Sequence, residues 1–164
     1  MKLALLLPFL LAFTASASEF TGKVVGVYDG DTITVLRGKE RVRVRISAVD
    51  CPEVRAYFGK GGQQPYSRQA TEFTEKLVGG KRVMVKKVGN SRDRTVGIVM
   101  LPDGRRLGHE LLAAGYGWLD PRYSKDAGLL KAQATAKQAK RGLCGQAQTR
   151  WHRGSGVNGL TRAR

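Results

Sequence analysis

The sequence predicts a small α+β domain in which strands dominate: a closed five-stranded barrel carrying about three helices. Three observations predict it. Five short runs are rich in β-branched residues and bounded by turn residues, and three segments with helical apolar spacing each stop at a glycine. One helix interrupts the strand series late and the other two follow it, an order that suits a small barrel better than a sandwich.

The first three strands are residues 20–28 ("FTGKVVGVY"), 32–36 and 41–48 ("RVRVRISA"), joined by tight turns at Asp29-Gly30 and Arg37-Gly38-Lys39. The third alternates cleanly: Val42, Val44, Ile46 and Ala48 turn inward, so Arg41, Arg43 and Arg45 form a basic stripe on the other face. After a glycine-rich loop over 50–65, residues 67–78 carry Ala70, Phe73, Leu77 and Val78 at helical spacing and end at Gly79-Gly80. Strands follow at 82–88 and 95–101, the second closed by the Pro102-Asp103-Gly104 turn. A short helix at 107–114 stops at Gly115 and a longer one at 124–140 stops at Gly142. Among small barrels the OB-fold has five strands and binds oligonucleotides on one face. Trp118 is expected in its core, and His109 on its surface.

The domain spans 18–145. Before it, Lys2, the apolar run from Leu3 to Phe13 and Ala15-Ser16-Ala17 form the three parts of a secretory signal peptide, with a run too short to span a bilayer. The tail over 146–164 is basic and poor in apolar residues, and is expected to be disordered, with Trp151 serving nothing specific. The reading is of an exported protein, periplasmic or secreted, free of the membrane once its leader is removed.

Charge narrows the partner. The chain has 29 Lys and Arg against 13 Asp and Glu, a formal net charge of +16, which implies a polyanionic partner. Nucleic acid leads, since each neutralised phosphate releases counterions; an anionic membrane or wall polymer is left open by composition alone. The only two cysteines, Cys51 and Cys144, and two histidines without ligand spacing do not make a closed zinc site. In an oxidising compartment the cysteines are expected to pair.

Acids are scarce here, yet Asp31, Asp50 and Glu53 all emerge near strand ends beside Arg45. Hard oxygens suit a hard divalent cation, a further carboxylate suits activation of water, and guanidinium groups suit charge growing on phosphate oxygens. That combination is the chemistry of phosphodiester cleavage. A noncatalytic module that only binds nucleic acid is the alternative, but it has no use for carboxylates that repel phosphate.

The stretches "DGDTITV", "RVRISAVDCPE", "TVGIVM", "DGRRLGHELLAAGYGW" and "AKRGL", in this order, resemble the staphylococcal nuclease (thermonuclease) family from about Phe20 to Cys144. The resemblance implies an OB-fold endonuclease that uses Ca2+ to cut DNA and RNA and leaves 3′-phosphate ends; a monomer is expected. It implies that Asp31 and Asp50 are the calcium carboxylates, with Cys51 lending its main-chain carbonyl where the family usually has Thr. Glu53 acts on the attacking water, Arg45 and Arg94 bind phosphate, and Tyr123 lines the nucleotide pocket; beside these, Arg43 of the basic stripe and Arg92 are expected to contact substrate. The chain departs from the family in reading Ser91-Arg92-Asp93-Arg94 where Tyr-Gly usually precedes the second arginine, so Arg92 is an alternative to Arg94. It also departs in having Cys51 and Cys144, and two departures that both yield cysteine imply one Cys51 to Cys144 bridge.

Overall fold

The computed structural model describes residues 18–54 and 64–145, so the expected leader, the tail and part of the glycine-rich loop lie outside the described residues. Strands β1 (Glu19–Asp29), β2 (Thr32–Arg37), β3 (Glu40–Ile46), β5 (Arg82–Ser91) and β6 (Arg94–Met100) close a barrel in the order β1-β2-β3-β6-β5. All neighbours are antiparallel except β3 and β6, which run parallel. This is an OB-fold. Helices α1 (Ser67–Val78), α2 (Leu107–Ala114) and α3 (Ala127–Gln138) pack outside, followed by a 3-10 turn at Gly142–Gly145.

The alternation fills the barrel as expected: Ile33, Val35, Val44, Val85 and Val99 are buried, and Leu107, Leu111 and Leu112 of α2 seal one side. Burying each such side chain contributes roughly 1.5–3 kcal/mol, so the β-branched runs that formed the strands also supply the core.

Among the boundaries that differ from the sequence reading, three have a clear local reason. The first turn lies at Gly30-Asp31, one residue later than expected, because a register irregularity between Val27 and Asp29 carries β1 on to pair Asp29 with Thr32. The arginine strand ends at Ile46 rather than Ala48: Ala48 takes a left-handed φ of 62°, and the chain leaves the barrel to form β4 (Val49–Asp50). That strand pairs with β7 (Trp118–Leu119) in a separate two-stranded sheet that the sequence did not reveal. The last helix starts at Ala127 because Asp126 caps it, its carboxylate accepting from the Leu129 N–H at 3.0 Å.

Gly115 ends α2 at φ 75°, and a Cβ there would lie 2.3 Å from the Arg141 carbonyl oxygen. Its own carbonyl accepts from the Leu143 N–H at 2.9 Å, joining α2 to the 3-10 turn. Gly115→Ala is therefore expected to destabilise the fold by about 2 kcal/mol or more, since it adds a steric clash to a disfavoured φ. Urea unfolding checks this as a fall in midpoint at unchanged slope; an unchanged midpoint would mean the junction relaxes freely.

Candidate active site

The bend that ends β1 aims acids inward. With β1 carried past Tyr28 by its irregularity, Asp29 is buried and its carboxylate accepts the Asp31 N–H at 3.2 Å. Asp31, 1% exposed, follows in the turn. One of its oxygens accepts from the Thr32 hydroxyl and from the Arg45 guanidinium, both at 2.9 Å, and the other accepts from the Cys51 N–H at 2.9 Å.

Arg45, opposite Thr32 in the β2–β3 ladder, reaches past Asp31 to donate to Asp50 at 2.5 Å. One half-buried guanidinium thus bridges the two carboxylates that the sequence singled out, residues nineteen positions apart in the chain. Glu53 completes the cluster, held by a reciprocal pair of bonds: its N–H donates to the Gln64 side chain at 2.9 Å and its carbonyl accepts the Gln64 N–H at 3.2 Å.

Four acids share this region with Arg45, and the electrostatics show the excess of negative charge. Burial, then the neighbouring Asp29 carboxylate, pushes Asp31 up to about 8 despite Arg45. Burial and then Glu53 raise Asp29, while burial and then Asp31 raise Glu53. Burial alone would lower Arg45, but Asp31 and Asp50 hold it above its ordinary value. Among the described residues no three of these side chains already converge as metal ligands. The donor chemistry nevertheless fits a hard divalent cation: every candidate group is an oxygen, and positive charge there would relieve the repulsion that raises all three acids.

The remaining predicted residues separate into two groups. Arg94 is half-buried at the start of β6 and faces the same cleft, of about 1080 Å³, as Arg45, Asp50 and Glu53. Tyr123, 71% exposed, lines it too, with the Arg122 guanidinium 5.5 Å from its ring. Arg92 lines the cleft from the hairpin turn between Ser91 and Arg94, exposed and at φ 55°. Asp93 in that turn accepts from Arg43 at 3.1 Å, so its charge rests on the arginine stripe; Arg43 also sits 5.7 Å from the Tyr28 ring. Both partners of that pair are well exposed, which makes the contact worth at most about 1 kcal/mol and open to competition from phosphate.

The expected disulfide is not seen in the structure, where Cys51 and Cys144 are both unpaired. The Cys51 sulfur is turned into the core between Gly30 and Gly117, where an added Cβ would meet it at 3.0 and 3.1 Å, while Cys144 lies half-buried in the 3-10 turn. Burial pushes the Cys51 thiol well up and raises Cys144 as well, so neither favours the thiolate. Trp118 is corrected too, being half-buried and outside the core of the described residues. Asp29 and Gln64 were not singled out by the sequence. The Asp-x-Asp spacing was visible, but only the β1 irregularity turns the first acid inward.

The family model described as "Staphylococcal nuclease homologue" matches residues 43–146. An "uncharacterized endonuclease" of Escherichia coli O157:H7 is 35% identical over 136 residues, covering 82% of this chain and 84% of that protein. A thermonuclease of Staphylococcus hyicus is 30% identical over 143 residues, covering 83% and 82% respectively. A micrococcal nuclease of Shigella flexneri is 29% identical over 156 residues, covering 84% and 83%.

Proposed function

This chain belongs to the staphylococcal nuclease family, and we propose that it is an exported, Ca2+-dependent endonuclease that hydrolyses DNA and RNA with little sequence specificity, leaving 3′-phosphate ends. The observation that carries the reading is the partly buried Asp31–Arg45–Asp50 bridge with Glu53 beside it. Asp31 and Asp50, with the Cys51 carbonyl, would hold the cation, which when bound supplies Lewis acidity toward a phosphate oxygen and neutralises charge.

The chain's own groups do the rest. Glu53, raised by burial and by Asp31, is a stronger base than an exposed carboxylate and takes a proton from the attacking water. The water oxygen bonds to phosphorus as the bond to the 5′ oxygen breaks, so phosphate stays on the 3′ side. Arg45 and Arg94 hold the equatorial oxygens as their charge grows. Tyr123 receives a base, while Arg43 and Arg92 add backbone contacts that carry affinity without base preference. Export rests on the leader-like residues 1–17. Among the described residues no helix is long and apolar enough to cross a membrane.

A binding module without chemistry would be weakened by four acids beside its phosphate site. The test is incubation of the purified protein with plasmid and RNA in Ca2+, Mg2+ or EGTA, followed by analysis of the ends. Cleavage restricted to Ca2+ with 3′-phosphate products is expected; oligonucleotide binding with no cleavage in any condition would replace the reading with the binding module.

The two candidate arginines separate in the same assay. Arg94→Ala is expected to lower kcat about 10²-fold, because a half-buried group at a strand end is held in place for charge that develops during reaction. Arg92→Ala, in an exposed turn, is expected mainly to raise KM and to reduce the salt slope by about one. Loss of kcat in Arg92→Ala alone would exchange the two roles.

A further inference from the structure

We infer that Arg41, Lys23 and Arg82 form a remote anchor for the backbone of the nucleic acid, at the far end of a line of positive charge that leads from Arg45 over the outer wall of the barrel. The inference rests on the nuclease reading above and adds to it a contact region several nucleotides from the cut.

The strand register builds this row. Lys23 of β1 stands directly opposite Arg82 of β5 on one side and Leu36 of β2 on the other, and Leu36 stands opposite Arg41 of β3. Residues directly opposite in an antiparallel ladder project from the same face. The chain neighbours Val24, Val35 and Val83 are buried in the barrel, so alternation turns the row outward, and all three of its cations are exposed. With strands about 4.8 Å apart, the row runs about 14 Å along the sheet from Arg41 to Arg82. On β3 the alternation puts Arg43 and Arg45 on the same outer face, and at about 3.3 Å per residue Arg41 lies about 13 Å from Arg45 and its catalytic partners.

Two features set this row apart from the basic surface at large. Lys23 and Arg82 are like charges placed face to face, an arrangement that costs a sheet stability. No acid answers that charge either. The described residues include every Asp and Glu of the chain, and none of them forms an ion pair with Lys23, Arg41 or Arg82. Even the acids on the same strands are drawn elsewhere: Glu19 of β1 lies 3.5 Å from Lys86, and Glu40 of β3 accepts from Arg37 at 2.6 Å.

Charge complementarity selects the occupant. A line of exposed cations without acids matches a line of phosphates, and each phosphate neutralised there releases counterions. The line begins at the guanidinium that would engage the scissile phosphate, so the polyanion that fits it is the substrate itself, running past Arg43 to the row. At about 3.4 Å per nucleotide of a helical strand, Arg41 lies about four nucleotides from Arg45. A dinucleotide held at Arg45 therefore stops short of the row, while a strand of about 20 nucleotides covers it. Contacts of this kind carry affinity without base preference.

Two charge-matched variants of the full chain, both checked for folding by circular dichroism, test the anchor. One carries Lys23→Gln, Arg41→Gln and Arg82→Gln; the other removes equal charge from exposed positions on and beside α3 with Lys125→Gln, Lys131→Gln and Lys140→Gln. Binding of a single-stranded oligodeoxynucleotide of about 20 nucleotides, and of a dinucleotide, is measured in EGTA over a range of salt. The row variant is expected to bind the long strand about 10-fold more weakly, with its salt slope reduced by about two, and the dinucleotide as wild type does. The α3 variant should lose less than about 3-fold on the long strand. In Ca2+ the row variant should show KM for the long strand raised about 10-fold. Equal losses in the two variants would reduce the row to its net charge and overturn the anchor, as would equal losses for the long strand and the dinucleotide. Unchanged binding of the long strand, with binding to phosphatidylglycerol vesicles lost, would overturn it in favour of a membrane surface. If the triple variant fails to fold, Lys23→Gln with Arg82→Gln replaces it, with an expected slope change of about 1.4 and the same comparisons. Length-dependent loss of affinity without cleavage by wild type in any condition would keep the anchor and sink the nuclease reading instead.

Discussion

Arg45→Ala is expected to lower kcat by something like 10²- to 10⁵-fold, as when other preorganised phosphoryl or oxyanion donors are removed. The position combines two functions. Its guanidinium bridges Asp31 and Asp50, so it sets the separation and orientation of both carboxylates. It also faces the cleft in which phosphate would lie, where its charge grows in value as the reacting oxygens become more negative. Removing it leaves Asp31 buried with no cation beside it, and that acid shifts further toward its neutral form. Arg45→Lys should rescue poorly, because one ammonium cannot reproduce two guanidinium contacts in divergent directions. Single-turnover cleavage of an oligonucleotide at saturating Ca2+ measures the effect. Turnover within about 10-fold of wild type would remove Arg45 from the reaction.

The second large effect is on stability. Without divalent cation, the protein should lose stability as pH rises from about 4 to about 8, with Asp31 as the largest single cause. Asp31 titrates near its ordinary value of 3.8 when unfolded but is pushed up to about 8 when folded. Between those values the folded state holds a proton that the unfolded state has released, so raising pH favours unfolding. The stability is fully present below the unfolded value and is lost as pH climbs through the folded one. For one group the slope is on the order of 1 kcal/mol per pH unit. Asp29 and Glu53, both raised, act in the same direction. Asp31→Asn should therefore raise Tm near pH 8 and flatten most of the slope, while abolishing cleavage. Ca2+ should stabilise the wild type most at high pH, since it competes with the proton for the same carboxylates, and should leave Asp31→Asn nearly unmoved. A wild-type Tm that rises with pH across this window in EGTA would contradict the electrostatic account of the cluster.

Much of the fold was legible because its signals are local. Alternation marked β3 down to the inward Val44 and Ile46, and apolar spacing bounded by Gly79 placed α1 over Ser67–Val78 without error. The candidate site was legible for a different reason: acids are so few in this chain that Asp31, Asp50 and Glu53 stood out, and the ordered motifs around them matched one family. What stayed hidden was set by register. A strand end one residue longer than expected buries Asp29, and one left-handed residue at Ala48 takes the chain out of the barrel.

By itself, then, the sequence determined the strands, the helices, the basic field and the residue types available for phosphodiester chemistry, since these depend on side-chain periodicity, glycine and charge count. Only the tertiary structure decided that Arg45 spans Asp31 and Asp50, that Cys51 and Cys144 stand unpaired in it, and that Trp118 is half-buried outside the core of the described residues. Those outcomes hang on the parallel closure of β3 on β6 and on the pairing of β4 with β7. Pairings between segments far apart in the chain are chosen by the free energy of the whole barrel, and no local pattern encodes which partner a two-residue strand will find.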